Sequence, residues 1–153
     1  MRKKISKLSI AVALLLAMAG CTTPKQWKAD SEVDALCAKD GGMKVYETVT
    51  LSKERFNEYG QFTGISIGEN TKSNEEYYII QKFKDITENS NSGNIDIYQN
   101  HFQIYRRRDQ KLLGESINYS RRGGDLLPAH PSAYSCYKQV ADDLLKQVFL
   151  KSN

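Results

Sequence analysis

Three kinds of hydrophobic pattern follow one another along this chain. The first is a largely apolar run, residues 8–19, interrupted only by Ser9 and lying behind the positive charges Arg2, Lys3, Lys4 and Lys7. It falls short of the roughly 20 residues that span a bilayer, so basic flank, short apolar stretch and the small residues Ala19 and Gly20 predict a removable signal segment over residues 1–20. A tether, residues 21–26, leads into a single domain at 27–153. There Trp27, Val33, Leu36 and Cys37 fall on one side of a helix over 27–38, stopped by Asp40-Gly41-Gly42.

The pattern then shortens to a period near two. Residues 43–51 (MKVYETVTL) predict a first strand, Ser52 caps a short helical turn over 53–58, and the glycines at 60, 64 and 68 mark a loop over 59–74. Residues 76–87 and 95–107 predict two more strands, the second bulged near Asn100 and separated from the first by the polar turn 89–94. Residues 101–121 read as a hairpin bent at Asp109-Gln110, with a four-residue turn as the alternative because Gln110 lacks glycine's ease at positive φ. A loop over 128–135 precedes Cys136. Tyr137, Val140, Ala141, Leu144, Leu145, Val148 and Phe149 predict a last helix, from which residues 147–151 can depart as an edge strand. The expected architecture is α+β: an antiparallel meander of four or five strands with an N-terminal and a C-terminal helix on one face.

Residues 16–21 resemble the lipobox of bacterial lipoproteins, with Ala19, Gly20 and Cys21 fitting and Met18 standing where leucine is usual. The resemblance implies that Cys21 becomes the acylated first residue of the mature chain, and several acyl chains anchor stably where one is marginal. In a double-membraned cell, Thr22 in place of Asp implies the outer membrane. The segments 37–49 (CAKDGGMKVYETV) and 112–126 (LLGESINYSRRGGDL), with the later His130 to Cys136 spacing, are similar to small uncharacterised proteobacterial lipoproteins, a resemblance that brings location and no activity.

Removing 1–20 changes the charge. Four of the 22 Lys+Arg lie there and none of the 18 Asp+Glu, so the mature domain is neutral and the case for a nucleic-acid partner disappears. An exported chain meets an oxidising compartment, which predicts a Cys37–Cys136 disulfide, two buried thiols being the alternative. No cofactor or metal is expected: His101 and His130 are the only histidines, and neither CxxC nor HExxH spacing occurs.

Two constellations remain. Arg106, Arg108, Arg121 and Arg122, with Tyr105 and Tyr119, are a candidate binding patch for phosphate or carboxylate groups, against the alternative that arginines at strand ends discourage edge pairing. His130 with Asp125, and Ser132 or Ser120, would make a hydrolase site; without a G-x-S-x-G elbow, Pro128-Ala129-His130-Pro131 reads first as a rigid turn leading to Cys136. The expected function is a non-enzymatic envelope-accessory module, anchored to the membrane through Cys21 and binding an envelope protein, glycan or lipid headgroup. The alternatives are a small envelope hydrolase using His130 and Asp125, or an immunity or exclusion lipoprotein.

Overall fold

A computed structural model describes residues 23–69, 74–87, 95–125, 131–137 and 140–152. Helix α1, Pro24–Asp40, starts three residues before the expected boundary, because Thr23 and Pro24 are starting signals rather than tether. The Thr23 hydroxyl accepts from the Gln26 amide at 3.1 Å, and Gln26 Oε1 accepts from the Thr23 amide at 2.8 Å, which closes a capping box. Gln26, Ala29, Val33 and Cys37 form the buried stripe. Trp27, expected on that side, is 72% exposed: it lies one position off the stripe, about 100° around the helix.

The strand expected over 43–51 is two strands. β1 (Gly42–Val45) pairs antiparallel with β6 (Lys111–Gly123). At Tyr46 and Glu47 both backbone amides donate to the Leu113 carbonyl, at 2.8 and 3.0 Å, and the chain leaves the sheet. β2 (Val49–Leu51) then pairs in parallel with β8 (Phe149–Lys151), so residues at the chain's end do leave the last helix, as the strand alternative had it. A 3-10 turn, Lys53–Arg55, follows Ser52, whose side chain makes no cap. Inside the expected loop, β3 (Ile65–Ile67) pairs in parallel with β4 (Tyr77–Asp85).

β4, β5 (Ile95–Arg106) and β6 are the antiparallel meander. The main sheet runs β1-β6-β5-β4-β3, with β7 (Ala133–Ser135) also beside β6, making six strands among the described residues. β7 pairs with Ser120 to Arg122 and β1 with Gly114 to Ile117, so the two share one edge of β6 in succession.

The hairpin between β5 and β6 turns through four residues: Arg106 pairs with Lys111, two positions from the register that would put Arg106 opposite Leu113. Gln110 takes φ 54° after all, its side chain donating to the Arg107 carbonyl at 2.9 Å and accepting from the Tyr78 hydroxyl. The bulge lies at Ile104/Tyr105 instead of Asn100, and the extra residue is Leu113, which is fully buried.

Pleat alternation decides what each face carries. Ile97 pairs with Arg121, Gln99 with Tyr119, His101 with Ile117 and Gln103 with Glu115, all on one face. There Ile95, Ile97 and Tyr119 pack under Ala29, Val33 and Cys37 of α1. The opposite face carries Ile104 opposite Gly114; a Cβ at Gly114 would stand 2.8 Å from Val148 Cγ2 and 3.3 Å from Leu144 Cδ1. Those two residues belong to α2 (Val140–Val148), which packs there with Leu113, Tyr77, Phe62 and Phe149. The class is α+β with an N-terminal and a C-terminal helix, as expected. The placement on a single face is corrected: the helices cover opposite faces, each on its own core.

Cys37 and Cys136 form a disulfide, Cα atoms 6.6 Å apart across 99 residues of sequence, tying α1 to the segment after β7. It joins the core under α1, where Tyr134 and Cys136 pack.

Candidate functional site

The arginines grouped by sequence do not meet. Lys111, the partner of Arg106, and Arg121 are ten residues apart on one strand, about 33 Å. Arg106 is 8% exposed; its guanidinium donates to Asp109 (Nη2 to Oδ2, 2.8 Å) and to Glu47, whose other oxygen takes Lys111 at 2.5 Å. Glu115, paired with Gln103, lies on the other face. Hydrogen bonds from Lys111 and then Arg106 hold the Glu47 carboxyl below the usual carboxylate range; Arg106 does the same for Asp109 and is itself pushed up.

Arg121 is 4% exposed beneath α1, donating to Asp30 at 2.7 Å. Arg108 is exposed in the hairpin turn, and Arg122 is exposed on the face opposite Arg121. Tyr119 is buried and donates to Asp40 at 3.0 Å. Tyr105 is half-buried, stacked 5.3 Å from Tyr78, over which Arg107 also lies. Arg106 and Arg121 are therefore packing residues, and the six residues form no common surface.

Asp125 has a comparable role. Its Oδ2 accepts from the Ser132 amide at 2.7 Å and its Oδ1 from Gln26 Nε2 at 2.9 Å, and the Ser132 bond comes first in lowering its pKa. Ser132 Oγ accepts from Gln26 and from Arg121, each at 2.9 Å. The group pins the start of α1 to the far end of the sheet. His130, the proposed base, lies outside the described residues. Ser120, the other proposed nucleophile, is buried against Ser135 Oγ at 3.0 Å.

What the fold does bring together is a group read as separate residues in the sequence. His101 Nε2 lies 2.8 Å from Glu115 Oε2, and the Tyr46 hydroxyl donates to Glu115 Oε1 at 2.5 Å. The Tyr46 bond, then His101, hold the Glu115 carboxyl below its ordinary range against a burial effect that opposes them, so Glu115 is a carboxylate that only accepts. The same bond pushes the Tyr46 hydroxyl up.

Directly across from Glu115 is Gln103, 7% exposed, whose Oε1 has no hydrogen-bond partner. These residues lie on α1's face of the sheet, towards the β5–β6 turn, beyond the core that α1 builds. Exposed Lys44 and Lys82, half-buried Ile80 and Tyr105, and Tyr46 at 54% exposure complete the surface. The placement depends on the bulge as well as the hairpin register: with Arg106 opposite Lys111 and no extra residue, His101 would pair with Ser116 and Glu115 would lie on the other face, and the bulge at Leu113 makes His101 and Glu115 diagonal neighbours on one face.

Glu115 engages both oxygens, one with the Tyr46 hydroxyl and one with His101. On the other side of the sheet, an open cleft of about 360 Å³ lies between α2, β8 and the turn after β2, lined by Phe56, Gln61, Phe62, Asp142, Lys146 and Phe149. Its apolar wall is the edge of the α2 core.

Among the described residues no three His, Cys, Asp or Glu are placed to hold a metal ion, and no helix is long and apolar enough to cross a membrane. Compared with known proteins, the chain matches no family model, no curated protein and no solved structure.

Proposed function

We propose that this chain is a lipid-anchored accessory domain of the bacterial envelope, held at the periplasmic face of the outer membrane through Cys21, that binds another envelope component without transforming it. The run ending in Ala19-Gly20-Cys21 supports the anchor, and Thr22 in place of Asp the outer membrane. One observation carries the binding role: the half-exposed polar and aromatic surface of Tyr46, His101, Glu115 and Tyr105 around the unpartnered Gln103 carbonyl, a group that is costly to bury alone. Its hydrogen-bonding groups and tyrosines suit a glycan or a polar protein surface. The commitment of Asp125 to Ser132 and Gln26 speaks against the hydrolase alternative.

Two measurements test the reading. Cys21→Ser moves the protein from the membrane to the soluble fraction and removes the acyl mass from its N-terminus; an unchanged membrane fraction refutes the anchor. A photoreactive residue at position 46 in living cells gives a discrete adduct that the same residue at exposed Glu32, on α1, does not. Equal labelling at both positions, or none at 46, refutes the binding surface.

A further inference from the structure

We infer that the first turns of α1 lie in the lipid headgroup layer, with Trp27 inserted there and Lys25 and Lys28 on anionic lipid phosphates; this rests on the acylation of Cys21 proposed above. Covalent reach comes first. Two peptide units separate Cys21 from Thr23, at most about 7 Å. Thr23 has no freedom to drift from the fold: its hydroxyl donates to the Gly124 carbonyl at 3.0 Å while its backbone and side chain close the capping box with Gln26. Trp27 follows four residues later, about 6 Å along the helix axis. Each headgroup layer is about 5–7 Å deep, so a lipid on Cys21 keeps Trp27 within about 13 Å of the acylated residue, close enough to reach that layer.

The composition of this helix end fits such a surface and is otherwise costly. Trp27 is 72% exposed although neighbouring Gln26 and Ala29 are buried, and its ring has the amphipathic character favoured at membrane interfaces. A helix N-terminus stabilises acidic side chains and disfavours cations. The first turn of α1 contains no acid, and both Lys25 and Lys28 are exposed. Asp30 is already engaged by Arg121, and Asp125 by Gln26 and Ser132. What the helix dipole opposes, an anionic membrane surface rewards.

Trp27 is the only tryptophan in the chain, so intrinsic fluorescence reports it alone. The acylated protein is reconstituted in vesicles of phosphatidylethanolamine and phosphatidylglycerol and compared with the Cys21→Ser protein in buffer. Insertion shifts the emission to shorter wavelength, lowers acrylamide quenching severalfold, and lets phospholipid brominated in the upper acyl chain quench the ring. The double variant Lys25→Glu/Lys28→Glu, which keeps Trp27, restores acrylamide access. Emission and quenching equal to those of the soluble protein, with Cys21 acylation confirmed by mass, overturn the inference and leave the anchor standing. An unacylated Cys21 overturns the anchor and the inference with it.

Discussion

Arg121 Nε donates to Asp30 Oδ1 at 2.7 Å across the junction between β6 and α1, with the arginine side chain 4% exposed. Its Nη1 also donates to the Gly123 carbonyl at 2.5 Å and to Ser132 Oγ at 2.9 Å. One guanidinium thus joins helix, strand and the approach to β7. Arg121→Ala strands Asp30, itself 20% exposed, beside an apolar core. The expected loss is about 3 kcal/mol of unfolding free energy, read from urea denaturation; a loss as small as that of an exposed arginine, such as Arg122→Ala, contradicts this role.

Reduction of the Cys37–Cys136 disulfide should cost a comparable amount. The bond joins residues 99 apart, and loops of that length are expected to stabilise by about 2–5 kcal/mol. The double variant Cys37→Ala/Cys136→Ala checks it by denaturation with and without reductant. A reductant effect that persists in the double variant excludes the disulfide as its source.

Gly114 is closed to any side chain. A Cβ there would meet Val148 Cγ2 at 2.8 Å and the Lys44 carbonyl at 3.2 Å, so helix and backbone both resist. Gly114→Ala is expected to destabilise by about 1–3 kcal/mol through overpacking, and Gly114→Val by more. Gly124, at φ 83°, resists for another reason, since its backbone lies in the left-handed region as well as against Ile95 and Gln26.

Acid should weaken the fold at several places together. The carboxyls of Glu47, Asp109, Glu115 and Asp125 are all held below their ordinary values by donors in the folded chain. Groups with depressed folded pKa contribute stability that is complete above their unfolded values, about 4, and is lost as pH falls through the lower folded ones. Denaturation midpoints should hold steady from neutrality to about pH 5 and fall steeply below about pH 4. A midpoint that rises on acidification contradicts the assignment.

Much of the secondary structure was legible because it is written locally. The meander follows from period-two runs separated by polar turns, and the last helix from apolar residues at helical spacing. Tyr46 and Glu47 escaped that reading. A run of strand-forming residues carries no sign that both amides will turn to the Leu113 carbonyl, because the bulge that aims that carbonyl belongs to a distant strand. β3 escaped because three residues are too few to show a period. The candidate site was least legible: Tyr46, His101 and Glu115 lie 69 and 14 residues from one another through Glu115, and a two-residue shift of the hairpin would have separated them.

By itself the sequence determined the α+β class, the order of the meander, the stop of α1 at Asp40-Gly41 and the pairing of the only two cysteines within the domain. Each rests on local spacing or on a choice with few members. The tertiary structure decided which face each residue serves: it buried Arg106 and Arg121 with acids from elsewhere, placed the helices on opposite sides, and assembled Glu115 with Tyr46 and His101. Pleating alternates side chains faithfully along a strand, but which side receives a helix is set by long-range register and by the paths of the connections.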